Sequence, residues 1–251
     1  MTKKRFKIVI SVVAIITSFV IVYTIYFTKP SDFPTNEQLI IEMNNLFPEG
    51  KVSKIQDKLY LNEKNVFVPF ISENDTYGTS YWVWKKRQWS MVSIDTEGGP
   101  IMWQANKKDP HSYYIVWNID SDEQVAYIDF YLTKKRSYSV KEGVHHYYRP
   151  SILLKQNVSI LEEPYGAMPI PFEWSTFMEG EKEIESAKSS NTLLGQFYYF
   201  NRYMLIGYIL YDENHKETAL QKSVNGHRFS TGNIDFEYIF RLNENEIKEY
   251  N

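Results

Sequence analysis

The chain has 251 residues, with 28 basic and 31 acidic side chains and a formal net charge of −3, the wrong sign for a general nucleic-acid binder. It contains no cysteine, which excludes disulfides, thiolate nucleophiles, zinc–cysteine sites and a lipoprotein anchor. Its 20 Tyr, 15 Phe and 6 Trp exclude a disordered tail and lean towards β structure.

The first seven residues hold Lys3, Lys4, Arg5 and Lys7, and setting those charges aside takes the net charge from −3 to −7. Ile8 to Phe27 follows without a charge. Such a run rises about 30 Å as a helix, the thickness of a bilayer's hydrocarbon core. Tyr23 and Tyr26 fall where an interfacial aromatic belt would lie. The basic flank precedes this helix, so residues 1–7 are expected in the cytoplasm, 8–27 in the bilayer and 28–251 outside. A cleaved signal peptide is the competing reading. The run exceeds the apolar core of about 7–15 residues that such peptides carry, and it ends without a small-x-small site. The sequence therefore predicts a single-pass protein of the cell membrane.

Residues 28–34 form a linker punctuated by Pro30 and Pro34, and one domain is expected over 35–251. Thr35 and Gln38 make a capping box. Leu39, Ile40, Met43, Leu46 and Phe47 recur at helical spacing until Pro48-Glu49-Gly50 stops the pattern.

From Lys51 to about Leu161 the pattern reads as strand after strand. Val66 to Ile71 is one, with Pro69 pushing it towards an edge. Tyr81–Trp84 and Trp89–Ile94 flank a charged hairpin tip, Lys85-Lys86-Arg87-Gln88. Gly98-Gly99-Pro100 is a turn, and Asp120 to Glu123 is another between Tyr113–Ile119 and Gln124–Thr133. In the last of these strands alternation sends Ala126, Ile128, Phe130 and Leu132 to a core. Tyr127, Asp129, Tyr131 and Thr133 are expected to face water.

A second helix is expected over Phe172–Lys188, with Trp174, Phe177, Met178 and Ile184 on one stripe. Leu193 to Tyr211 is apolar but contains Gln196, Asn201 and Arg202, so it reads as two buried strands rather than a second membrane span. Asn225-Gly226 marks a hairpin turn. Phe236, Tyr238, Phe240 and Leu242 share one face of a closing strand. The sum is a mainly antiparallel β domain of α+β class. It is sandwich-like or a strongly twisted sheet, has two helices, and is preceded by the one transmembrane helix.

The chemistry-bearing residues form no recognised motif. His145-His146 would point to opposite faces of a strand, and His111, His215 and His227 stand apart, so no metal ligand set is expected. Asn118-x-Asp120-x-Asp122 resembles the start of a calcium loop but has Glu123 where glycine is needed, and it reads as a turn. No phosphate-binding loop, nucleophile elbow or other cofactor signature is present, and no cofactor is expected. Glu162-Glu163, Asp95 with Glu97, and Asp235 with Glu237 offer carboxylate pairs, which keep a cell-envelope hydrolase as the alternative function. Tyr113-Tyr114, Tyr147-Tyr148, Tyr198-Tyr199 and the Trp82, Trp84, Trp89 group are the raw material of an aromatic groove. Tyr127 and Tyr131 are the candidate binding residues, because the opposite face of their strand already supplies a core.

The layout resembles that of single-pass envelope proteins of Gram-positive bacteria, and it carries no site residues across. The expected function is a binding or interaction module at the cell envelope. Its expected partners are the lipid bilayer, through residues 8–27, and a protein or neutral glycan rather than nucleic acid.

Overall fold

The computed structural model describes residues 3–26, 29–141, 144–149, 151–188, 204–222, 226–231 and 234–250. Side chains are described for 10–20, 23, 29–136, 151–183, 204–222, 226–231 and 234–250.

The chain opens with helix α1 (Lys3–Tyr26) and helix α2 (Asn36–Leu46). Strands β1 (Val52–Ile55), β2 (Leu59–Asn62), β3 (Asn65–Ser72), β4 (Tyr77–Lys85) and β5 (Gln88–Asp95) follow. Next come β6 (Ile101–Gln104), β7 (Tyr113–Asn118), β8 (Tyr127–Lys134), β9 (Ser137–Lys141) and β10 (Val144–Arg149). Then come β11 (Ile152–Ser159), β12 (Tyr165–Pro169) and helix α3 (Phe172–Lys188). The final part holds β13 (Met204–Tyr211), β14 (Glu217–Thr218), β15 (Arg228–Ser230), β16 (Asp235–Glu237), β17 (Phe240–Arg241) and helix α4 (Glu244–Lys248).

Among the described residues these strands form three stacked sheets and one projecting hairpin. Sheet A runs β1-β3-β4-β5-β15, with β2 also on β3. Sheet B runs β12-β7-β6-β16, and sheet C runs β11-β8-β13-β14, with β17 parallel on β13. All other pairings are antiparallel. The hairpin β9–β10 keeps the register of β8–β11: Arg149 opposes Ser137 as Ile152 opposes Lys134. The β9–β10 pairing also shifts register between His145 and Tyr147.

Four clusters fill the spaces between layers. Leu39, Met43 and Phe47, on and just after α2, pack on Val66, Val68, Phe70 and Trp82 of sheet A. The other face of that sheet meets sheet B through Phe67, Tyr81, Ile101, Trp103 and Val116. Sheet B's far face meets sheet C through Ile115, Trp117, Ile128, Phe130 and Leu132, with Trp174 and Met178 of α3 closing the end. Outside sheet C, Tyr131, Ile209 and Tyr211 pack under Leu242 and the α4 residue Ile247. The order is therefore helix, sheet, sheet, sheet, helix. Each of the large side chains buried between layers contributes about 1.5–3 kcal/mol.

Both expected helices of the domain are present. Thr35 caps α2 with the reciprocal Gln38 bonds, and α3 covers the expected span. The expected sandwich-like or strongly twisted sheet is, among the described residues, three sheets and a separate hairpin with four α-helices. Segment 31–34 of the expected linker is docked on sheet A: the Phe33 ring lies 4.8 Å from Trp89 and 5.8 Å from Trp82, edge to face, and Trp89 Nε1 donates to Ser31 O at 3.0 Å.

Pro69 does not mark an edge. It sits in β3, between β4 and the β1/β2 pair. Its carbonyl accepts from Gln56 N at 3.0 Å, so its missing N–H points to the break between β1 and β2, where no ladder bond is required. The expected closing strand is likewise two short ones, β16 in sheet B and β17 in sheet C. The chain crosses between sheets at Tyr238-Ile239, leaving Tyr238 exposed and Phe236 and Leu242 in different clusters. The Asn225 half of the expected turn and residues 193–203 of the apolar stretch lie outside the described residues.

The β4–β5 hairpin tip is a two-residue turn in which Lys86 and Arg87 have φ of 53° and 65°. Primed turns of this kind favour Asn-Gly, because a Cβ is disfavoured at positive φ. Both side chains are exposed. The double change Lys86→Asn, Arg87→Gly is expected to raise stability by about 1 kcal/mol, read as a rise of about 2–4 °C in Tm. An unchanged or lower Tm would refute it.

Candidate functional site

The candidate residues Tyr127 and Tyr131 lie on β8, which β11 and β13 flank. As expected, Ile128 and Phe130 are buried against sheet B. The opposite face is not open water. Tyr131 is 5% exposed, and only Tyr127 reaches the surface, half-buried. The physical cause is a cover that alternation within one strand cannot register. Leu242 and α4 lie over that face, and Gly207, the residue opposite Tyr131 on β13, lets them approach. A Cβ at Gly207 would come within 2.5 Å of Leu242 Cδ1 and 2.7 Å of Phe240 O.

Under this cover sits a polar network around Asp129, which is 2% exposed. Lys155 Nζ lies 2.6 Å from its Oδ2, Asn157 Nδ2 donates to its Oδ1 at 2.7 Å, and Tyr131 OH donates to Oδ2 at 3.3 Å. Lys155 and Asn157 are the cross-strand neighbours of Tyr131 and Asp129 on β11, so the strand register delivers both groups. The Lys155 ammonium also lies 5.8 Å from the centre of the Tyr131 ring. Tyr211 donates to Glu244 Oε1 at 3.4 Å, and its ring stacks on Tyr127 with centroids 5.1 Å apart. Tyr127 OH in turn hydrogen-bonds His215 Nδ1.

Burial pushes the Tyr131 phenol well above its ordinary range, and the Asp129 charge adds to this. The same causes push Tyr211 up to about 12, with Glu244 contributing, and raise Tyr127. These hydroxyls are therefore neutral hydrogen-bonding groups, not phenolates able to act as bases. What meets solvent is a rim of Tyr127, His215, Lys155 and Asn157. It offers an aromatic edge among donors and acceptors, the make-up of a contact surface.

The other candidates are spread across the fold. Asp95 is held by Arg228, whose Nε and Nη2 each approach at 2.6 Å, and this pair ties β15 to β5. Burial raises Glu97, and the Asp95 charge adds to that. Asp235 pairs with Lys107 at 2.5 Å, while Tyr113 OH donates to Glu237 at 3.3 Å. Glu123, from the expected turn, accepts the Gln221 and Lys222 backbone N–H groups. His111 Nδ1 lies 2.5 Å from Ser175 Oγ. The same hydroxyl donates to Phe172 O at 2.9 Å, the local back-bond of a serine in the first turn of a helix. The side chains of Tyr147, Tyr148, Tyr198, Tyr199, His145 and His146 lie outside the described residues. Among the described residues no group of three His, Asp or Glu side chains is placed to hold a metal ion.

A small recess of about 20 Å³, room for about one water, lies at the end of the sheet B–sheet C seam, with Met102, Met178, Met204, Glu237 and Phe240 in its lining. Burial raises the Glu237 carboxyl.

Neither the aromatic rim nor this recess was legible in the sequence as a place. The Met residues, Glu237 and Phe240 come from five elements, and Lys155 reaches Asp129 from another strand. Only the Tyr and Asp alternation of β8 gave a signal. No protein-family model matches the chain, and no curated protein or solved structure matches it.

Proposed function

We propose that the protein is a single-pass membrane protein whose β-rich domain lies outside the cytoplasm and acts as a binding or interaction module at the cell envelope. The observation that carries this reading is α1. It is one uninterrupted helix of 24 residues, none of its described side chains belongs to the four core clusters, and its described large apolar side chains are exposed, Phe19 by 74%. A helix with apolar side chains exposed along its described length calls for another apolar environment. Thr17 and Ser18 return their hydroxyls to Val13 O and Ala14 O at 2.9 Å, as helices do where water is absent. Among the described residues, which within α1 leave side chains 10–20 and 23, no helix is long and apolar enough to cross a membrane. The reading therefore joins this described stretch to the full uncharged run of the sequence.

The contact surface in this reading is the rim around Tyr127, with Tyr131 beneath it positioning Asp129. A rigid tyrosine edge among hydrogen-bonding groups suits a neutral glycan or a protein segment, and the net charge of −7 outside the basic tail disfavours polyanions.

A reporter enzyme active only outside the cytoplasm, fused after Asn251, should be active, and the chain should stay in the membrane pellet through alkaline carbonate extraction. In the same cells Tyr127→Ser should weaken recovery of any cross-linked partner without lowering the amount of the chain. A cytoplasm-only reporter signal, or processed protein in the medium, would sink the topology. Unchanged partner recovery would sink the surface.

A further inference from the structure

The three sheets protect their edges unequally. Sheet A ends on β15, three residues long, and on β1 and β2, four residues each with a break in register. Sheet B ends on the three-residue β16 and on β12, which closes at Pro169. Sheet C ends on one side in two-residue strands. Its other edge is β11, eight residues paired to β8 along their whole length without a break. Among the described residues, Ile152–Ser159 makes no backbone–backbone hydrogen bond beyond that ladder. A long, regular edge of this kind is a template for another strand, and natural edges are usually blunted by proline, bulges, short length or a free lysine. Here there is no proline and no bulge, and the strand's one charge, Lys155, is held by Asp129.

We propose that β11 pairs with β11 of a second copy of this chain, antiparallel across a two-fold axis through Gln156, so that sheet C runs on through a homodimer. The strand is complementary to itself. Leu154 and Val158 pack towards the sheet B side, while Leu153 packs towards the α4 side. Directly opposed residues share a side of the sheet, so only registers that pair like with like keep the layers intact. Centred on Gln156, Leu154 faces the partner's Val158 and Lys155 faces the partner's Asn157. The neighbouring register, centred on Lys155, would oppose two ammonium groups, and charge disfavours it. The contact is isologous, as two-fold dimers require. It uses no part of α1 and does not involve Tyr127, although it sets the rim residues Lys155 and Asn157 opposite each other across the axis, so it is read by cross-linking at Gln156 rather than by the partner recovery that tests the rim.

The absence of cysteine makes the test direct, using the full chain in its membrane. In Gln156→Cys the two opposed Cα atoms would sit about 4.5–5.5 Å apart, inside the range of about 4.4–6.8 Å that a disulfide spans. Mild oxidation should give a covalent dimer. Ser159→Cys is equally exposed but lies six residues of strand, about 20 Å, from its counterpart, and should stay monomeric. Gln156→Lys, which opposes two charges on the axis, should shift the purified full chain from dimer to monomer mass with its circular dichroism spectrum unchanged. The proposal is overturned if Gln156→Cys remains monomeric, if both cysteine variants cross-link equally, or if the wild-type chain is monomeric, including the case where another polypeptide occupies the edge.

Discussion

Gly98→Ala is expected to lower stability by about 3 kcal/mol or more, at the upper end of overpacking effects. A Cβ there would lie 1.8 Å from Asn118 O and 2.8 Å from Tyr77 O. Both obstacles are backbone, so no side-chain rotation can relieve the contact. Gly98 O also accepts from Asn118 N at 2.8 Å, which holds the two chains together at the point of collision. The junction of sheets A and B must therefore open. Gly180→Ala supplies the opposite sign: its Cβ would meet nothing within 4 Å, and removing a glycine from a helix interior should stabilise by roughly 0.5–1 kcal/mol. Urea midpoints should fall for the first variant and rise for the second. Equal midpoints for Gly98→Ala and wild type would show that the junction is soft.

The second large effect is at Asn118, which is fully buried. Its Nδ2 donates to Gln56 Oε1 at 2.7 Å, Phe70 O at 3.0 Å and Gly78 O at 2.7 Å, clasping sheet B to sheet A. Asn118→Asp replaces that donor with an oxygen facing three oxygens. The carboxyl can then fold in only when protonated, so its folded pKa lies above the unfolded value of about 3.9. With the pKa raised on folding, the variant keeps its stability below about pH 4 and loses it as pH rises towards the folded pKa. At neutral pH the loss should reach about 3–5 kcal/mol, the cost of an uncompensated buried charge. Asn118→Ala should be destabilised by a similar amount at both pH values. If the Asp variant's deficit is the same at pH 4 and pH 7, the three-acceptor geometry is wrong.

Local signals were read from the sequence where the physics is local. The capping box of Thr35, the Trp174 and Met178 part of the α3 stripe, and the β4–β5 hairpin each depend on residues within a few positions of one another, whereas Phe177 of the expected stripe is exposed and the Ile184 side chain lies outside the described residues. Alternation on β8 identified one face correctly, with Ile128 and Phe130 buried, but predicted water where Leu242 and α4 lie. A strand inside a stack is covered on both faces, and Tyr, Asp and Thr at its outward positions are then buried with partners rather than exposed. Those partners are remote in sequence: Asp129 draws on Lys155 and Asn157 of β11, and Asp95 draws on Arg228 of β15. No spacing rule announces them. Pro69 misled for the same reason, since its harmlessness depends on a gap between two other strands.

The distribution of the last strands has a kinetic consequence. Sheet A waits for β15, sheet B for β16, and sheet C for β13, which lies in its interior. Ser93 Oγ donates to Phe229 O across 136 positions of chain. No layer can reach its final form until nearly the whole polypeptide exists, and closing such long loops is slow because ordering entropy is spent before contacts return it. The emerging chain thus carries two-faced apolar strands with unfinished borders, a state that is extended, unfolded and prone to self-association. Folding of this protein is therefore expected to await its C-terminal third.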